Sequence, residues 1–199
     1  MSPRTKVQAA AVREEARTSI LGAALRVFTR RGYFGATMAD VAREARVSYG
    51  LPYHYYRSKE ALFAELVRMA YEGSYGLFLG AREAFGGGAA GLRAVADGIL
   101  GTGTKGEAAL YFQIVIQAVT LERVPKQVAA LSAKYLPLYS TVLEEIVAAD
   151  KGRSGIDPKD RKGAVTCFLA LILGLPIVLA RQPGAIFPEP GTILRLFGI

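Results

Sequence analysis

The stretch from Thr37 to Leu62, TMADVAREARVSYGLPYHYYRSKEAL, leaves this chain few folds to choose from. Thr37 is a good helix N-cap, and Asp40 three residues later completes a capping-box pattern. Met38, Val41, Ala42 and Ala45 then supply a buried face at helical spacing. Arg46, Val47 and Ser48 break the chain, and Ser48 is placed to cap a second short helix. Ser58 caps a longer one, in which Leu62, Phe63, Leu66, Met69 and Ala70 keep the 3–4 spacing. Upstream, Ile20, Leu21, Ala24, Leu25 and Phe28 repeat that spacing between Arg13 and Arg31, and Gly32 is a plausible stop. Three short helices, the last two joined by a tight step, form a helix-turn-helix pattern. Such a motif sends its second helix into the DNA major groove, which is wide enough for one helix.

Charge points the same way. The net charge is +8 over 199 residues. Residues 1–60 hold eleven Lys and Arg against five Asp and Glu, a surplus of six, so the remaining 139 residues carry only +2. A basic first third on a nearly neutral remainder suits a polyanionic partner. Residues 1–12 read as a flexible basic arm.

Downstream, GGG at 86–88 reads as a flexible break. The segments 90–101, 106–123, 125–149, 158–181 and 190–197 read as helices, although the β-branched LYFQIVIQAVT would also pass for a strand. A lone strand among helices has no partner, so a buried helix is expected there. Residues 164–180 form a 17-residue uncharged run, the lower limit for a membrane span. Gly174 and Pro176 interrupt it, so a core or interface helix is the expectation. The lone Cys167 fits a reducing, cytoplasmic setting, and the N-terminus has no signal-peptide core. One His and one Cys, far apart, are poor catalytic material, and no metal cluster, nucleophile elbow or phosphate loop stands out.

Residues 37–67 resemble the DNA-binding signature of the TetR family, the tetracycline-repressor-like transcriptional regulators. The shared skeleton is Thr37, Asp40, Val41, Ala42, Ala45, Val47, Ser48, Gly50, Tyr53, Tyr55, Tyr56, Ser58, Lys59, Glu60 and Leu62. Sequence resemblance stops near residue 70. It implies an all-α fold of about nine helices: the arm 1–12, a helix-turn-helix domain at 13–58, and a helical effector-binding and dimerisation domain at 59–199. It implies no enzyme activity, no cofactor and no metal. The implied partners are a near-palindromic double-stranded DNA operator, a small-molecule effector and a second copy of the chain, with no membrane. Repressor is favoured over activator. A DNA-binding protein of low sequence specificity is the alternative, followed by a membrane-attached helical protein.

Two positions depart from the family pattern. Arg46 stands where Gly is usual at the end of the second helix, and a non-Gly residue there either adopts φ > 0 at a cost of about 1 kcal/mol or changes the turn. Pro52 stands where Leu or Ile is usual, and an irregular or 3₁₀-like start to the recognition helix follows.

The candidate base-reading residues are Tyr49, Gly50 and His54. The phosphate candidates are Thr37, Tyr53, Tyr55, Lys59 and Arg46, while Tyr56 reads as packing. The effector-pocket candidates are Phe78, Tyr111, Phe112, Gln113, Ile114, Gln117, Tyr135, Tyr139 and Phe168, in a segment whose few charges suggest an apolar or aromatic ligand. The dimer-interface candidates are Phe168, Leu169, Ile172, Leu173, Leu175 and Ile177.

Overall fold

The structure is a computed structural model that describes residues 6–102, 106–149, 159–179 and 188–196. Residues 1–5 of the expected arm, the expected loop at 150–158, the end of the expected helix at 180–181 and residues 182–187 of the expected loop at 182–190 lie outside them. The described residues form nine α-helices and no strand: α1 (Lys6–Gly35), α2 (Met38–Ala45), α3 (Leu51–Tyr55), α4 (Lys59–Phe85), α5 (Gly88–Thr102), α6 (Gly106–Thr120), α7 (Lys126–Ala148), α8 (Arg161–Leu179) and α9 (Pro190–Arg195). The LYFQIVIQAVT segment is helical. Burial settles its ambiguity, because Ile114 and Ala118 sit in the core among α1, α4 and α5.

Two expectations need correction. Residues 6–12 belong to the first turns of α1 and are not a separate flexible arm. The GGG stretch is a tight corner rather than a flexible break. Gly86 ends α4 in the left-handed region, and Gly87 follows with φ 107°. A Cβ on Gly87 would lie 2.4 Å from the Ala149 Cβ and 2.8 Å from the Ile146 oxygen, so only glycine lets α5 start against the end of α7.

α1 and α4 close on one aromatic knot. Phe28 meets Phe63 edge-on at 5.1 Å, and Tyr33 lies 4.9 Å from Phe63. Gly32, at φ 68° and ψ 170°, turns the chain out of α1 so that Tyr33 can fold back onto this pair. α4 then runs on to touch α5, α6 and α7, while α5 also contacts α8 and α9. Because α4 is unbroken, the helix-turn-helix unit and the larger helical unit share it.

The turn between α2 and α3 shows how the chain tolerates Arg46. α2 opens with the expected capping box: the Thr37 side chain accepts from the Asp40 N–H, and Asp40 accepts from the Thr37 N–H. It ends with Arg46 at φ 57°, the one left-handed non-glycine among the described residues. The Arg46 N–H reaches the Arg43 carbonyl at 3.2 Å, and the Val47 N–H reaches the Ala42 carbonyl at 3.0 Å. That pair of bonds is a Schellman cap with arginine in the glycine position. The Leu51 N–H then bonds the Ser48 carbonyl at 3.0 Å, which is the 3₁₀-like entry expected of α3. The α-helical residues begin two positions later than Ser48 implied, with Gly50 as N-cap and Pro52 as the second residue, where no backbone bond is lost. Arg46→Gly is expected to raise stability by about 0.5–1 kcal/mol. Urea unfolding reads the change, and an unchanged midpoint would count against strain at this residue.

Candidate nucleic-acid interface and apolar cavity

Five arginines of the basic first third share three neighbouring carboxylates. Glu44 of α2 receives Arg26, through its Nε at 2.8 Å, and Arg30. Asp40 receives Arg43 and, at 3.3 Å, Arg31. Glu65 of α4 receives Arg17. These pairs lock α1 to α2 and to α4. Both α2 carboxylates sit below their ordinary range: the Thr37 hydroxyl bond is the largest cause for Asp40, and the Arg26 bond for Glu44. A carboxylate with a lowered folded pKa stabilises above its unfolded pKa and loses that effect as pH falls through the folded value. The thermal midpoint is therefore expected to fall between about pH 5 and pH 3, and Asp40→Asn to flatten that fall. An equally steep fall in the variant would remove Asp40 from the account.

The remaining surface of the motif is exposed and aromatic. Tyr49 is 62% exposed and Tyr53 42%, with their rings 5.7 Å apart along one face of the α3 segment. His54 is exposed beside them, edge-on to Tyr55. Gly50 has αR backbone and no atom within 4 Å of a would-be Cβ. Glycine is therefore not needed there for folding, and close approach from outside is left open. Tyr56 is buried, as expected of a packing residue.

A notch of about 340 Å³ opens between the starts of α2 and α4, lined by Ala36, Thr37, Met38, Tyr53, Arg57, Ser58 and Lys59. Two helix N-termini face it, and helix N-termini favour anions. Three of the five phosphate candidates, Thr37, Tyr53 and Lys59, meet at this notch. Arg57 joins them, and its place immediately before the Ser58 cap was the signal for it in the sequence. Tyr55 is placed differently. Its hydroxyl donates to the Arg13 carbonyl at 3.2 Å and ties α3 to α1. Arg46 stands exposed at the end of α2, away from the notch lining.

Lys59 has a second duty. Its ammonium donates to the carbonyls of Tyr33 at 2.8 Å and Ala36 at 3.1 Å, with Phe34 at 3.5 Å, and lies 4.7 Å from the Tyr33 ring centre. The cation sutures the α1–α2 turn to α4. Lys59→Met is expected to destabilise the fold by about 1–3 kcal/mol. Arg57→Ala is expected to leave stability unchanged and to lower the salt slope of DNA binding by about one. Loss of stability in Arg57→Ala, or none in Lys59→Met, would reverse this division.

In the larger unit, α4, α6 and α7 form most of the wall of a partly open cavity of about 420 Å³. It is lined by Met69, Ala70, Tyr71, Gly73, Ser74 and Leu77 of α4, Ile99 of α5, Tyr111, Phe112, Val115, Ile116 and Val119 of α6, Leu136 and Tyr139 of α7, and Leu173 of α8. Of the nine sequence candidates it collects Tyr111, Phe112 and Tyr139. Phe78 and Ile114 are fully buried core, Phe78 stacking on Tyr139 at 4.9 Å. Tyr135 is buried, stacks on Tyr71 at 5.3 Å and donates to Glu72. Gln113 is exposed, and Phe168 is buried in the core. Gln117 points the other way, its Nε2 donating to the Phe28 carbonyl of α1 at 3.0 Å. The α4 wall went unread, although Met69, Ala70, Gly73 and Leu77 continue that helix's apolar stripe with small residues that leave room.

The dimer candidates divide. Phe168, Leu169 and Ile172 are buried in the protomer's own core, and Leu173 lines the cavity. Leu175 is half-buried, and the side chain of Ile177 is outside the described residues. The outward face of α8 carries Gly163, Thr166, Cys167 and Ala170 instead.

Residues 20–66 match the family model of bacterial regulatory proteins of the tetR family. The chain carries a TetR-family DNA-binding domain. The HTH-type transcriptional regulator BetI of Agrobacterium fabrum is 44% identical over 52 residues, which is 26% of this chain and 25% of that relative. The chain thus spans about a quarter of the length of that curated relative. The whole fold is shared more widely. A transcriptional regulator from Rhodococcus sp. RHA1 superposes with a TM-score of 0.72 at 21% identity over 91% of each chain. AibR, solved in complex with isovaleryl coenzyme A and operator DNA, superposes with a TM-score of 0.70 at 20% identity, over 92% of this chain and 96% of AibR. Among the described residues no helix is long and apolar enough to cross a membrane.

Proposed function

We propose that this chain is a sequence-specific transcriptional regulator, a cytoplasmic homodimeric repressor released from a near-palindromic operator by a small effector. The observation that carries the reading is the pairing of an exposed recognition helix with an apolar cavity, open on one side, in one body. Tyr49, Gly50 and His54 would meet base edges, and the notch around Thr37, Tyr53 and Arg57 would seat a phosphate beside them. AibR, which shares the fold, holds both a small molecule and operator DNA, and this supports the reading. The reading assigns the chain no catalytic step and no cofactor.

One helix reads few bases, so two copies would meet half-sites about 34–36 Å apart or at multiples of that spacing. The small outward residues of α8 would let a second copy come close. The contact between Gln117 of α6 and the Phe28 carbonyl supplies a route between cavity and reading head, because α6 also forms the cavity wall. A ligand that binds better to one placement of α6 shifts the population of that state and no more.

Selection from a random duplex library with the full chain is expected to return an inverted repeat. His54→Ala and Tyr49→Ala should relax base preference at one position per half-site, by about 1–3 kcal/mol each. Gly50→Ala should leave stability within about 0.5 kcal/mol and still weaken DNA binding. Equal affinity for selected and competitor DNA at the same salt would instead establish a protein of low sequence specificity.

A further inference from the structure

The cavity's chemistry narrows what can enter it. None of its fifteen described lining residues is charged. The polar side-chain atoms on its wall are hydroxyls, those of Tyr71, Ser74, Tyr111 and Tyr139. Tyr71 is already paired with Ser132 at 3.0 Å.

Ser74 and Tyr139 can be accounted for proton by proton. Their oxygens are 2.7 Å apart. Ser74 also reaches the Ala70 carbonyl at 2.8 Å, and Tyr139 reaches the Tyr71 carbonyl at 3.0 Å. Carbonyls only accept, and the bond between the two hydroxyls needs one proton. Both hydroxyl protons are thus committed in any arrangement, and what the pair has left is lone pairs. Tyr111 is the converse case. Its nearest partner is the Met69 sulfur at 3.9 Å, a weak acceptor, so its O–H is free to turn to a better one.

We infer that the cavity takes an uncharged, largely apolar molecule whose hydrogen-bond donor meets the Ser74–Tyr139 oxygen pair, with any acceptor facing Tyr111. This rests on the reading of the cavity as the effector site. A carboxylate, sulfonate or phosphate seated among these residues would give up water, find no cation and have only the Tyr111 O–H as a free donor, which is the costly outcome. A coenzyme A thioester, such as AibR holds, brings several phosphate charges that the same wall leaves unmet.

Two fluorophores test this on the full chain. N-phenyl-1-naphthylamine and 8-anilinonaphthalene-1-sulfonate share their rings and their N–H and differ by one sulfonate. The neutral probe is expected to saturate one site per protomer, at least about tenfold tighter than the anion. Val115→Trp, with Ile116→Trp as the second filling variant, should abolish its signal, and Ser74→Ala should weaken it by about fivefold. Isovaleryl coenzyme A should not displace it. The inference is overturned if the anion binds as tightly and is lost in the tryptophan variants, or if the thioester displaces the probe. It also fails if the neutral probe does not bind, or binds unchanged in both variants. Operator binding without any probe is scored separately. DNA bound specifically with no probe bound removes the ligand class alone, whereas probe bound as described with no specific DNA removes the regulator reading and leaves the ligand class.

Discussion

The rest of the molecule is arranged against α4. Twenty-seven residues at 1.5 Å each make a rod of about 40 Å, long enough to serve two sites. Its first turn closes the notch beside the recognition helix. Its Leu62, Phe63 and Leu66 fill the core of the small helical unit. Further along, Met69, Gly73 and Leu77 form a wall of the cavity. Both sites are thus cut into one rigid element. Glu65 strengthens this joint, since it receives Arg68 at 2.8 and 2.9 Å while also holding Arg17 of α1. The Arg68 bonds are the largest cause of its lowered pKa.

The electrostatics of the first sixty residues work on two levels. A surplus of six positive charges announces a polyanionic partner. Much of the raw count is internal, with Arg17, Arg26, Arg30, Arg31 and Arg43 each facing a carboxylate. Even Lys59, which projects at the notch, is anchored on backbone carbonyls. Of the cations left without a carboxylate, Arg57 sits where helix N-termini already favour a phosphate, while Arg46 stands apart at the end of α2. This makes placement, more than total charge, the basis of recognition.

Polar groups in the larger unit follow an opposite logic. Tyr71, Ser74, Tyr135 and Tyr139 satisfy one another, Ser132 and Glu72, and the cavity lining is left largely apolar. Burial pushes the Tyr111 and Tyr139 hydroxyls above their ordinary pKa, so both remain protonated under ordinary conditions.

The local elements of the reading head were legible in the chain because their causes are local. A capping box, a Schellman turn carrying arginine and a 3₁₀ entry before Pro52 each involve residues within a few positions of one another. The helix count was legible for the same reason. What neighbours decide was not. Periodicity marks Phe168, Leu169 and Ile172 as one apolar face, but only the tertiary structure turns that face toward the chain's own core. The same holds for the cavity, whose wall combines five helices, and for Lys59 and Tyr55, whose partners lie 23–42 residues away. Sequence by itself determined which segments coil and which end carries the helix-turn-helix pattern. The packing of α4 against its neighbours decided where space was left, because a void is set by several elements at once and belongs to none of them.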